Sequence, residues 1–453
     1  MGFWQTAYNG LGLPLARAGF RLAAPFRTKI ARGLAGRAKS FEKIESFLES
    51  AGRKERSRGV LYHCTSVGEY LQALPIMEEL KKQDPGLPLY LSFFSPSVEK
   101  RAFSCSLCDL AFYLPEDSRA NMDRLFERLR PELLVISKFD VWPNLVHSAH
   151  RQGVSSAITA ATLSPDSSRL RGLSASFHRS FYKYLGLVCA ISREDADNFI
   201  RLGVSPENCV VTGDTRFDQT WRRAAAVAED DPLVTPFRGW QDCRLLACGS
   251  IWPQDEQHVL PALAGLCGRH DRLRLVLVPH EPSASHIEQL TSFCRSRGLD
   301  YRLYSEFTQA SQKGRPPAPV RPETRVVVVD TLGALAAVYR AAHVAYVGGS
   351  FGKGVHNTME PACFGLPVVF GPRHLNSYEA RLMVEAGGAF AVEDGTRFEK
   401  TVGRLIEDEA YRRACGEKAR QVVKANLGAT GRTIRALTGR FPGLASKGAG
   451  AAL

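Results

Sequence analysis

The sequence predicts an α/β protein made of two Rossmann-like domains that face a cleft. Strand-like apolar runs alternate with helix-like stretches from residue 58 onward, a pattern typical of a parallel sheet covered on both faces. The pattern restarts after a polar stretch at 221–242, which indicates a second domain. A chain of 453 residues with 44% hydrophobic content is long enough to bury two cores.

The strand-like runs set the predicted domain bounds. The first series comprises 59–64, 87–94, 133–136, 155–161, 187–191 and 209–212. The second series comprises 244–248, 273–278, 325–329, 344–347, 367–370 and 389–392. We therefore expect an N-terminal segment at 1–50, a first domain at 51–225, a second domain at 226–440 and a flexible Gly/Ala-rich tail at 441–453.

The N-terminal segment is apolar and basic. Residues 1–58 contain twelve Lys or Arg and four Glu, so this stretch carries +8 of the chain's net charge of +13. No apolar run reaches the roughly 18 residues of a spanning helix. Trp4, Tyr8, Leu11, Leu15 and Phe20 among arginines suit a helix lying on an anionic membrane, and a helix docked on its own domain is the alternative.

The eleven cysteines form no paired framework, which fits a reducing compartment. Cys105 and Cys108 are the one close pair, and no second pair or histidine stands at zinc spacing. The sequence also lacks a recognisable nucleic-acid-binding module, and its excess charge lies among apolar residues. We therefore expect no metal site and no nucleic-acid partner.

A glycine-rich stretch, 348–354, follows the strand-like run 342–347 and precedes a helix-like pattern. Strand, glycine loop and helix together place backbone N–H groups against a phosphate, and glycines such as Gly349 let the backbone approach it. Ser350 belongs to this loop. His356 and Asn357 would lie beside the leaving group, and Glu360 would accept hydrogen bonds from a ribose. A tightly packed turn is the alternative.

A carboxylate, Glu69, stands where the first strand turns into its helix. It is either a helix-start charge or a general base, the group that an inverting sugar transfer needs to take the acceptor's proton. Polar groups at four further strand ends are expected to converge on it: Lys138 with Asp140, Arg216 with Asp218, Ser250, and His280 with Glu281.

Ten motifs, in order between residues 60 and 395, resemble those of the 3-deoxy-D-manno-octulosonate (Kdo) transferase family. In the first half they are His63-Cys-Thr-Ser-Val-Gly-Glu69, Phe94-Ser-Pro-Ser97, Tyr113-Leu-Pro-Glu-Asp117, Lys138-Phe-Asp-Val-Trp-Pro143 and Gly213-Asp-Thr-Arg-Phe-Asp218. In the second half they are Gly249-Ser-Ile-Trp-Pro253, Pro279-His-Glu281, Asp330-Thr-Leu-Gly-Ala-Leu335, 348–361 and Gly365-Leu-Pro-Val-Val-Phe-Gly-Pro372.

The resemblance implies an inverting, metal-independent GT-B glycosyltransferase. Its donor would be CMP-Kdo, its acceptor the lipid A precursor lipid IVA, and its place the anionic cytoplasmic face of the inner membrane, as a peripheral or monotopic protein. Glu69 matches the family's proton acceptor, and Lys138 and Arg216 match its two transition-state-stabilising positions. The implied CMP contacts are Pro279, His280, Leu332, Gly333, Ala334, Asn357, Thr358, Met359 and Glu360.

Four positions depart from the commoner family pattern, which has Glu at 138, Lys at 216, Arg at 280 and Glu at 334. This combination resembles a Bacteroidetes-like variant. Ala334 has no polar side chain for a ligand, and His280 needs a proton to replace an arginine. Two other functions stay open at this point: a transferase of the same architecture that uses a UDP-sugar and a lipid, and a non-catalytic membrane-binding protein.

Overall fold

A computed structural model describes residues 2–50, 59–312 and 317–444, and within them two parallel sheets of seven strands each. The first sheet contains β1 (Val60–Cys64), β2 (Leu89–Phe93), β3 (Leu110–Tyr113), β4 (Leu133–Ser137), β5 (Ser155–Ala161), β6 (Leu187–Ala190) and β7 (Cys209–Val211). The second contains β8 (Arg244–Ile251), β9 (Leu273–Pro279), β10 (Tyr301–Leu303), β11 (Val326–Val328), β12 (Val344–Val347), β13 (Val368–Phe370) and β14 (Ala389–Ala391). The two predicted α/β domains are thereby confirmed.

Helices connect the strands. Those up to the middle of the chain are α1 (Phe3–Ala7), α2 (Leu13–Ala23), α3 (Thr28–Ala38), α4 (Ser40–Ser50), α5 (Val67–Gln83), α6 (Pro96–Phe103), α7 (Arg119–Leu129), α8 (Pro143–Arg151), α9 (Gly172–Tyr182), α10 (Arg193–Arg201) and α11 (Thr215–Ala225). The others are α12 (Pro253–Arg269), α13 (Ala284–Ser296), α14 (Ser305–Gln312), α15 (Leu335–Ala341), α16 (Met359–Cys363), α17 (Tyr378–Glu385), α18 (Gly395–Glu407), α19 (Glu409–Ala425) and α20 (Ala429–Arg440).

The strand orders place a topological switch in each sheet. The first sheet runs β3-β2-β1-β4-β5-β6-β7, so the order reverses direction between β1 and β4. The second runs β10-β11-β9-β8-β12-β13-β14, with the reversal between β8 and β12. Open parallel sheets bind ligands outside the carboxyl ends of the strands at such a point. Each domain therefore has one edge where site residues are expected.

Alternating side chains of the strands pack into two core layers per sheet. In β1, Val60, Tyr62 and Cys64 enter one hydrophobic cluster and Leu61 enters the other, which is the period of two that a strand imposes. All five residues of β1 are buried. This burial on both faces explains why the central strands read as continuous apolar runs in the sequence.

Two strands escaped the sequence analysis, β3 and β10. Each lies at an edge of its sheet and pairs with one neighbour only. Edge strands are short and need less apolar surface than central strands. In β10, the exposed Arg302 lies between Tyr301 and Leu303, which are both only partly buried. This strand therefore contains no apolar run by which the sequence could reveal it.

The chain divides into two compact units with bounds that differ from the predicted ones. The first unit is 1–219 together with 428–453, and the second is 220–427. Helix α20, which we assigned to the second domain, thus belongs to the first. Its Ile434 and Leu437 are buried in the core of the first sheet. The predicted cleft between the two domains stays a prediction.

Asp218 has a structural role in this return of the chain. Its two carboxylate oxygens each accept a backbone hydrogen bond of 2.6 Å, from Gly428 and Thr430 at the start of α20. The carboxylate therefore caps a helix N-terminus. The expectation that Asp218 joins the converging polar groups is wrong for this reason.

Residues 445–453 of the predicted tail lie outside the described residues, as do 51–58 and 313–316.

The N-terminal segment, 2–50, packs on the first domain and exposes apolar side chains as well. Trp4 donates a hydrogen bond to Ser176, and Tyr8 donates one to Asp117, so these two residues of the predicted membrane-facing set turn inward. Leu11 and Leu15 remain more than 60% exposed. Further exposed apolar side chains are Phe3, Phe20, Leu22 and Phe26. Among the described residues, no helix is both long and apolar enough to span a bilayer.

Candidate functional site

The switch point of the first sheet is flanked by two of the predicted catalytic residues. Glu69 lies in the first turn of α5, directly after β1, and Lys138 follows β4. Lys138 has a left-handed backbone conformation (φ 71°), and its N–H donates to the Thr159 carbonyl oxygen at 2.9 Å. A non-glycine residue held in this region costs of order 1–3 kcal/mol, and such residues cluster at functional sites. The sequence thus placed both side chains at the ligand-binding edge.

Glu69 is buried, with 5% of its surface exposed, and its carboxylate is held in place. The Thr65 N–H donates to Oε2 at 2.5 Å, and the Glu69 N–H donates to the Ser66 hydroxyl at 3.4 Å. Several buried side-chain oxygens of the described residues have no hydrogen-bond partner, and Glu69 Oε1 is not one of them. Glu69 is therefore both a helix-capping residue and a fixed carboxylate with one oxygen uncommitted to the cap.

Burial raises the pKa of the Glu69 carboxyl. The Thr65 hydrogen bond opposes this increase, Asp140 adds to it, and the positive charge of Lys138 lowers the pKa. Glu69, Lys138 and Asp140 thus interact electrostatically, as their strand-end positions predicted. A carboxylate with a raised pKa is a stronger base than a free one, which suits a proton acceptor.

Arg216 lies in the first turn of α11 and is anchored by Asp214, just before that helix. Its Nε donates to Asp214 at 2.8 Å, and a second guanidinium nitrogen lies 2.6 Å from the same carboxylate. Asp214 is 1% exposed and also accepts from the Gln72 side chain at 3.3 Å. Burial alone would raise the pKa of Asp214, but the charge and hydrogen bonds of Arg216 outweigh it and hold the pKa below its usual range. The guanidinium is thus oriented while about a third of the Arg216 side chain stays exposed.

The switch point of the second sheet gathers residues from three strand ends. Ser250 at the end of β8 has a left-handed conformation (φ 53°), Pro279 ends β9 with His280 next to it, and the glycine loop follows β12. Trp252 caps the N-terminus of α12 at the same edge. The second domain therefore presents its predicted nucleotide residues where a parallel sheet binds ligands.

The glycine loop is folded on itself, which changes its expected role. Asp255, fully buried, accepts from the Gly349 N–H at 2.7 Å and from the Phe351 N–H at 3.3 Å. Gly352 and Gly354 both donate to the Gly349 carbonyl at 3.0 Å. A Cβ on Gly349 would lie 2.5 Å from the Gly354 oxygen, so close backbone packing explains this glycine. These N–H groups are therefore unavailable to a phosphate, contrary to our expectation.

Two backbone donors remain after the loop. The N–H groups of Asn357 and Thr358 donate no hydrogen bond to any described residue. The Asn357 side-chain oxygen accepts from the Met359 N–H at 3.1 Å, and the buried Thr358 hydroxyl has no partner among the described residues. The structure thus moves the candidate anion contacts from the glycines to 357–358.

Three aromatic rings border this edge, with His280 stacked on the coplanar pair of Trp252 and His356. The rings of Trp252 and His280 are 4.4 Å apart, and those of His280 and His356 are 4.5 Å apart. Trp252 Nε1 donates to His356 Nε2 at 2.7 Å, which fixes the proton of a neutral His356 on Nδ1. Burial lowers the pKa of His356, and the charge of His280 lowers it further. His356 is thus a neutral donor for a ligand oxygen.

The remaining predicted contacts differ in how accessible they are. Leu332 is 82% exposed, and Gly333 has a left-handed conformation (φ 91°). Ala334, Ser350 and Met359 are buried, so their side chains pack in the domain. Ser350 accepts a hydrogen bond of 2.5 Å from the Gly371 N–H, which ties the glycine loop to the next strand's loop.

Glu360 is mostly buried. Burial raises the pKa of its carboxyl, and the charge of Arg223 opposes the increase. An uncommitted carboxylate at this position accepts hydrogen bonds from neutral donors such as ribose hydroxyls. The ribose role of Glu360 stays a prediction.

The described residues contain no group of three or more His, Cys, Asp or Glu side chains arranged to hold a metal ion. Cys105 and Cys108 lie 3.5 Å apart at their sulfur atoms without further ligands of this kind. That the reaction proceeds without a metal stays a prediction.

Asp255 and Asp214 are the functional residues that the sequence analysis missed. Both carboxylates are buried and hold another part of the site. A signal existed for Asp255, which follows Trp252-Pro253 at the third position of α12, where acidic residues cap helices. The loop that Asp255 holds is nearly a hundred residues away, so no local pattern marks that pair. Asp214 stands two residues before Arg216, whereas its other partner, Gln72, is 142 positions away.

Comparison with known proteins relates this chain to a family. The family model described as 3-deoxy-D-manno-octulosonic-acid transferase (kdotransferase) matches residues 38–219, within the first unit. The 3-deoxy-D-manno-octulosonic acid transferase of Haemophilus influenzae is 26% identical over 382 residues, which cover 83% of this chain and 86% of that one. The Bordetella pertussis enzyme of the same name is 28% identical over 392 residues, with the same two coverages.

Solved structures with this fold include the UDP-GlcNAc 2-epimerase of Neisseria meningitidis, with a TM-score of 0.60 and 14% identity over 84% of this chain and all of the other. A UDP-N-acetylglucosamine 2-epimerase from Listeria monocytogenes gives a TM-score of 0.57 at 12% identity, over 85% of this chain and 97% of the other. At such identities the likeness shows the two-domain GT-B-like fold alone. The relatives matched by sequence carry the assignment: the chain is similar to Kdo transferases over 83% of its length and is a glycosyltransferase.

Proposed function

We propose that this protein transfers Kdo from CMP-Kdo to the lipid A precursor, lipid IVA, in lipopolysaccharide synthesis, and that it inverts the anomeric configuration. The observation that carries the proposal is Glu69, a buried and hydrogen-bonded carboxylate at the switch point of the first sheet, in a chain similar to Kdo transferases. Its raised pKa favours proton acceptance from a sugar hydroxyl.

In the proposed reaction, an acceptor hydroxyl oxygen attacks the anomeric carbon of Kdo while its proton passes to Glu69. The bond between that carbon and the phosphate oxygen breaks, and CMP leaves with the bonding electrons. General-base catalysis of this kind contributes roughly 10²–10⁴ in rate. Attack from the face opposite to the leaving group accounts for inversion with a single carboxylate.

Lys138 and Arg216 serve as cations for the charge that moves to the leaving group and for the Kdo carboxylate. Asp214 and the strained backbone of Lys138 hold them in place before substrate arrives. Preorganised charge of this kind stabilises a transition state without reorganisation during the reaction.

The second domain supplies the nucleotide contacts in this proposal. The free N–H groups of Asn357 and Thr358 are donors for the phosphate, and the Trp252 and His280 rings form a face for the base. Glu360 is a candidate acceptor for ribose hydroxyls. Neutral His356 donates through Nδ1 to a phosphate or ribose oxygen.

The N-terminal segment is proposed to hold the enzyme on an anionic membrane, the cytoplasmic face of the inner membrane. It combines exposed Leu11, Leu15, Leu22 and Phe26 with an excess of basic residues. Apolar burial in the interface and attraction to anionic lipids add to each other in such a segment. Flotation with anionic vesicles, compared with neutral vesicles, measures this binding.

The test of the function is direct. Purified protein with CMP-Kdo and lipid IVA should release CMP and give a lipid whose mass increases by whole Kdo residues. Competition between CMP and UDP for the free protein should favour CMP. No product under any detergent condition, or a preference for UDP, would contradict the proposal.

A further inference from the structure

A cavity of about 390 Å³ lies between the N-terminal helices and the carboxyl edge of the first sheet. Helices α2, α3 and α4 form one wall, and the loops after β2, β3 and β4 form the other. Its size is within the roughly 300–1,000 Å³ of small-molecule sites. None of the catalytic groups described above lines it.

Most of the cavity wall is apolar. Phe20 and Leu13 come from α2, Leu34 from α3, and Phe94 and Trp142 from the sheet side. The Phe94 and Trp142 rings stack with centroids 5.0 Å apart. A flexible hydrocarbon chain is the ligand that such a wall favours, because it buries apolar surface without needing hydrogen bonds.

The rest of the wall is polar and carries charges of both signs, since Glu116, Asp117 and Asn121 line it together with three arginines. Arg37 lies over the Phe94 ring at 4.2 Å, donates to the Phe94 carbonyl oxygen, and forms no ion pair with a described residue. Arg21 likewise has no ion pair among these residues, whereas Arg17 is paired with Glu116. Burial lowers the pKa of Arg37, and Tyr113 and Glu116 oppose this decrease without cancelling it. An anionic group would supply the missing partner.

Trp142 lines the cavity with its ring and carries a buried donor without a partner. Its indole nitrogen is sealed from solvent and has no hydrogen-bond acceptor among the described residues. Leaving a buried donor unpaired costs about 1–3 kcal/mol. This nitrogen has no accessible surface, so a ligand in the cavity packs against the Trp142 ring and does not reach the donor.

Two cavity-lining residues belong to loops of the catalytic edge of the same domain. Phe94 precedes Ser95, whose N–H donates to the Thr65 carbonyl at 3.0 Å, and the Thr65 N–H in turn holds Glu69. Trp142 follows Lys138 and Asp140 in one loop. The segments that line the cavity therefore also carry or contact the segments that hold the proposed catalytic groups.

We propose that this cavity binds an acyl chain of the acceptor lipid, with a phosphate or other anionic group of that lipid on Arg37 and Arg21. The proposal rests on the proposed function, because it takes the acceptor to be an acylated, phosphorylated sugar. It makes the cavity the part of the acceptor site that reads the lipid, while Glu69 acts on the sugar.

A binding experiment without donor tests the cavity separately from catalysis. Lipid IVA with brominated acyl chains in detergent micelles should quench the fluorescence of Trp142, and the Trp142→Phe variant should lose that part of the quenching. Ala38→Phe fills the cavity from an exposed position on α3, so the core stays intact and the quenching should fall. Ala35→Phe, on the same helix and also exposed but outside the cavity, is the matched control.

Kinetics supply the second readout. Ala38→Phe and Arg37→Gln should raise KM for lipid IVA about tenfold, with KM for CMP-Kdo unchanged. Transfer to a de-acylated acceptor should be insensitive to Ala38→Phe. These expectations separate a lipid site from a general loss of fold, which would affect both substrates.

Three outcomes would overturn the proposal. Absence of Trp142 quenching while transfer proceeds normally would show that the cavity is empty in a working enzyme. Equal quenching by a brominated phospholipid would assign the cavity to a membrane lipid instead of the acceptor. Unchanged KM for lipid IVA in Ala38→Phe would remove the cavity from acceptor binding. Failure of Kdo transfer itself, in contrast, would strike the proposed function, and the quenching would still report the cavity.

Discussion

Replacing Glu69 with Gln separates its two roles, helix cap and general base. The Gln carbonyl oxygen can still accept the Thr65 N–H that lies 2.5 Å from Oε2, so the helix start is kept. The negative charge is lost, and with it the ability to take a proton. If Glu69 is the base, kcat should fall by roughly 10²–10⁴, which corresponds to about 2.7–5.4 kcal/mol on the barrier.

The stability of the Glu69→Gln variant should not fall together with its turnover. Burial raises the folded-state pKa of Glu69 above its usual 4.5, so the folded protein binds more protons than the unfolded chain in the pH range between the two values. Stability therefore falls as pH rises through that range, and at neutral pH the charged carboxylate costs free energy. Glu69→Gln removes this cost, while a weaker hydrogen bond to Thr65 loses about 1 kcal/mol. Tm at neutral pH should thus be nearly unchanged or higher.

The assay compares CMP release, CMP affinity and Tm for the two proteins at neutral pH. We expect lost turnover with CMP affinity retained and Tm kept. Glu69→Asp is a useful companion, since it keeps the charge but withdraws the carboxylate by one methylene. Turnover of Glu69→Gln close to that of the wild type would refute the base assignment and leave only the cap.

Three further predictions concern residues that position or tune the site. Asp140→Asn should move the acid limb of the pH–rate profile to lower pH, because the charge of Asp140 raises the pKa of Glu69. Lys138→Met should move the same limb to higher pH, because the charge of Lys138 lowers that pKa. Shifts of the same sign in the two variants would contradict this. Asp214→Asn should lower kcat by about tenfold or more, since it loosens the guanidinium of Arg216, and CMP affinity measured by calorimetry should not change. Asp255→Asn should weaken CMP binding about tenfold, since its amide N–H₂ opposes backbone N–H donors of the glycine loop, and calorimetry that shows unchanged affinity would mean that this loop does not shape the nucleotide site.

The sequence was sufficient for most of the first-domain site. Glu69 and Lys138 were found because parallel strands end at one edge and because polar residues there interrupt apolar runs. Their proximity, and the electrostatic coupling with Asp140, followed from strand order at the switch point. The motif resemblance named the family independently of this reasoning, and the comparisons confirmed it.

The glycine loop shows where local patterns were insufficient. Its spacing indicated a phosphate cradle, but the fully buried Asp255 carboxylate takes the N–H groups of Gly349 and Phe351. The glycines in the local sequence allow the backbone to approach another group closely, but only the tertiary structure determines which group that is. The donors left for an anion are consequently those of Asn357 and Thr358.

The alternation of apolar runs and helices by itself determined two parallel sheets, their central strands and the edge at which the site lies, because burial on both faces imposes an apolar signature within a few residues. Tertiary structure alone decided the short edge strands, the return of α20 to the first domain through Asp218, and the inward turn of Trp4 and Tyr8. These features depend on pairings between residues more than a hundred positions apart or on strands with a single neighbour. Such pairings are selected by the free energy of the whole fold, and no local period records them.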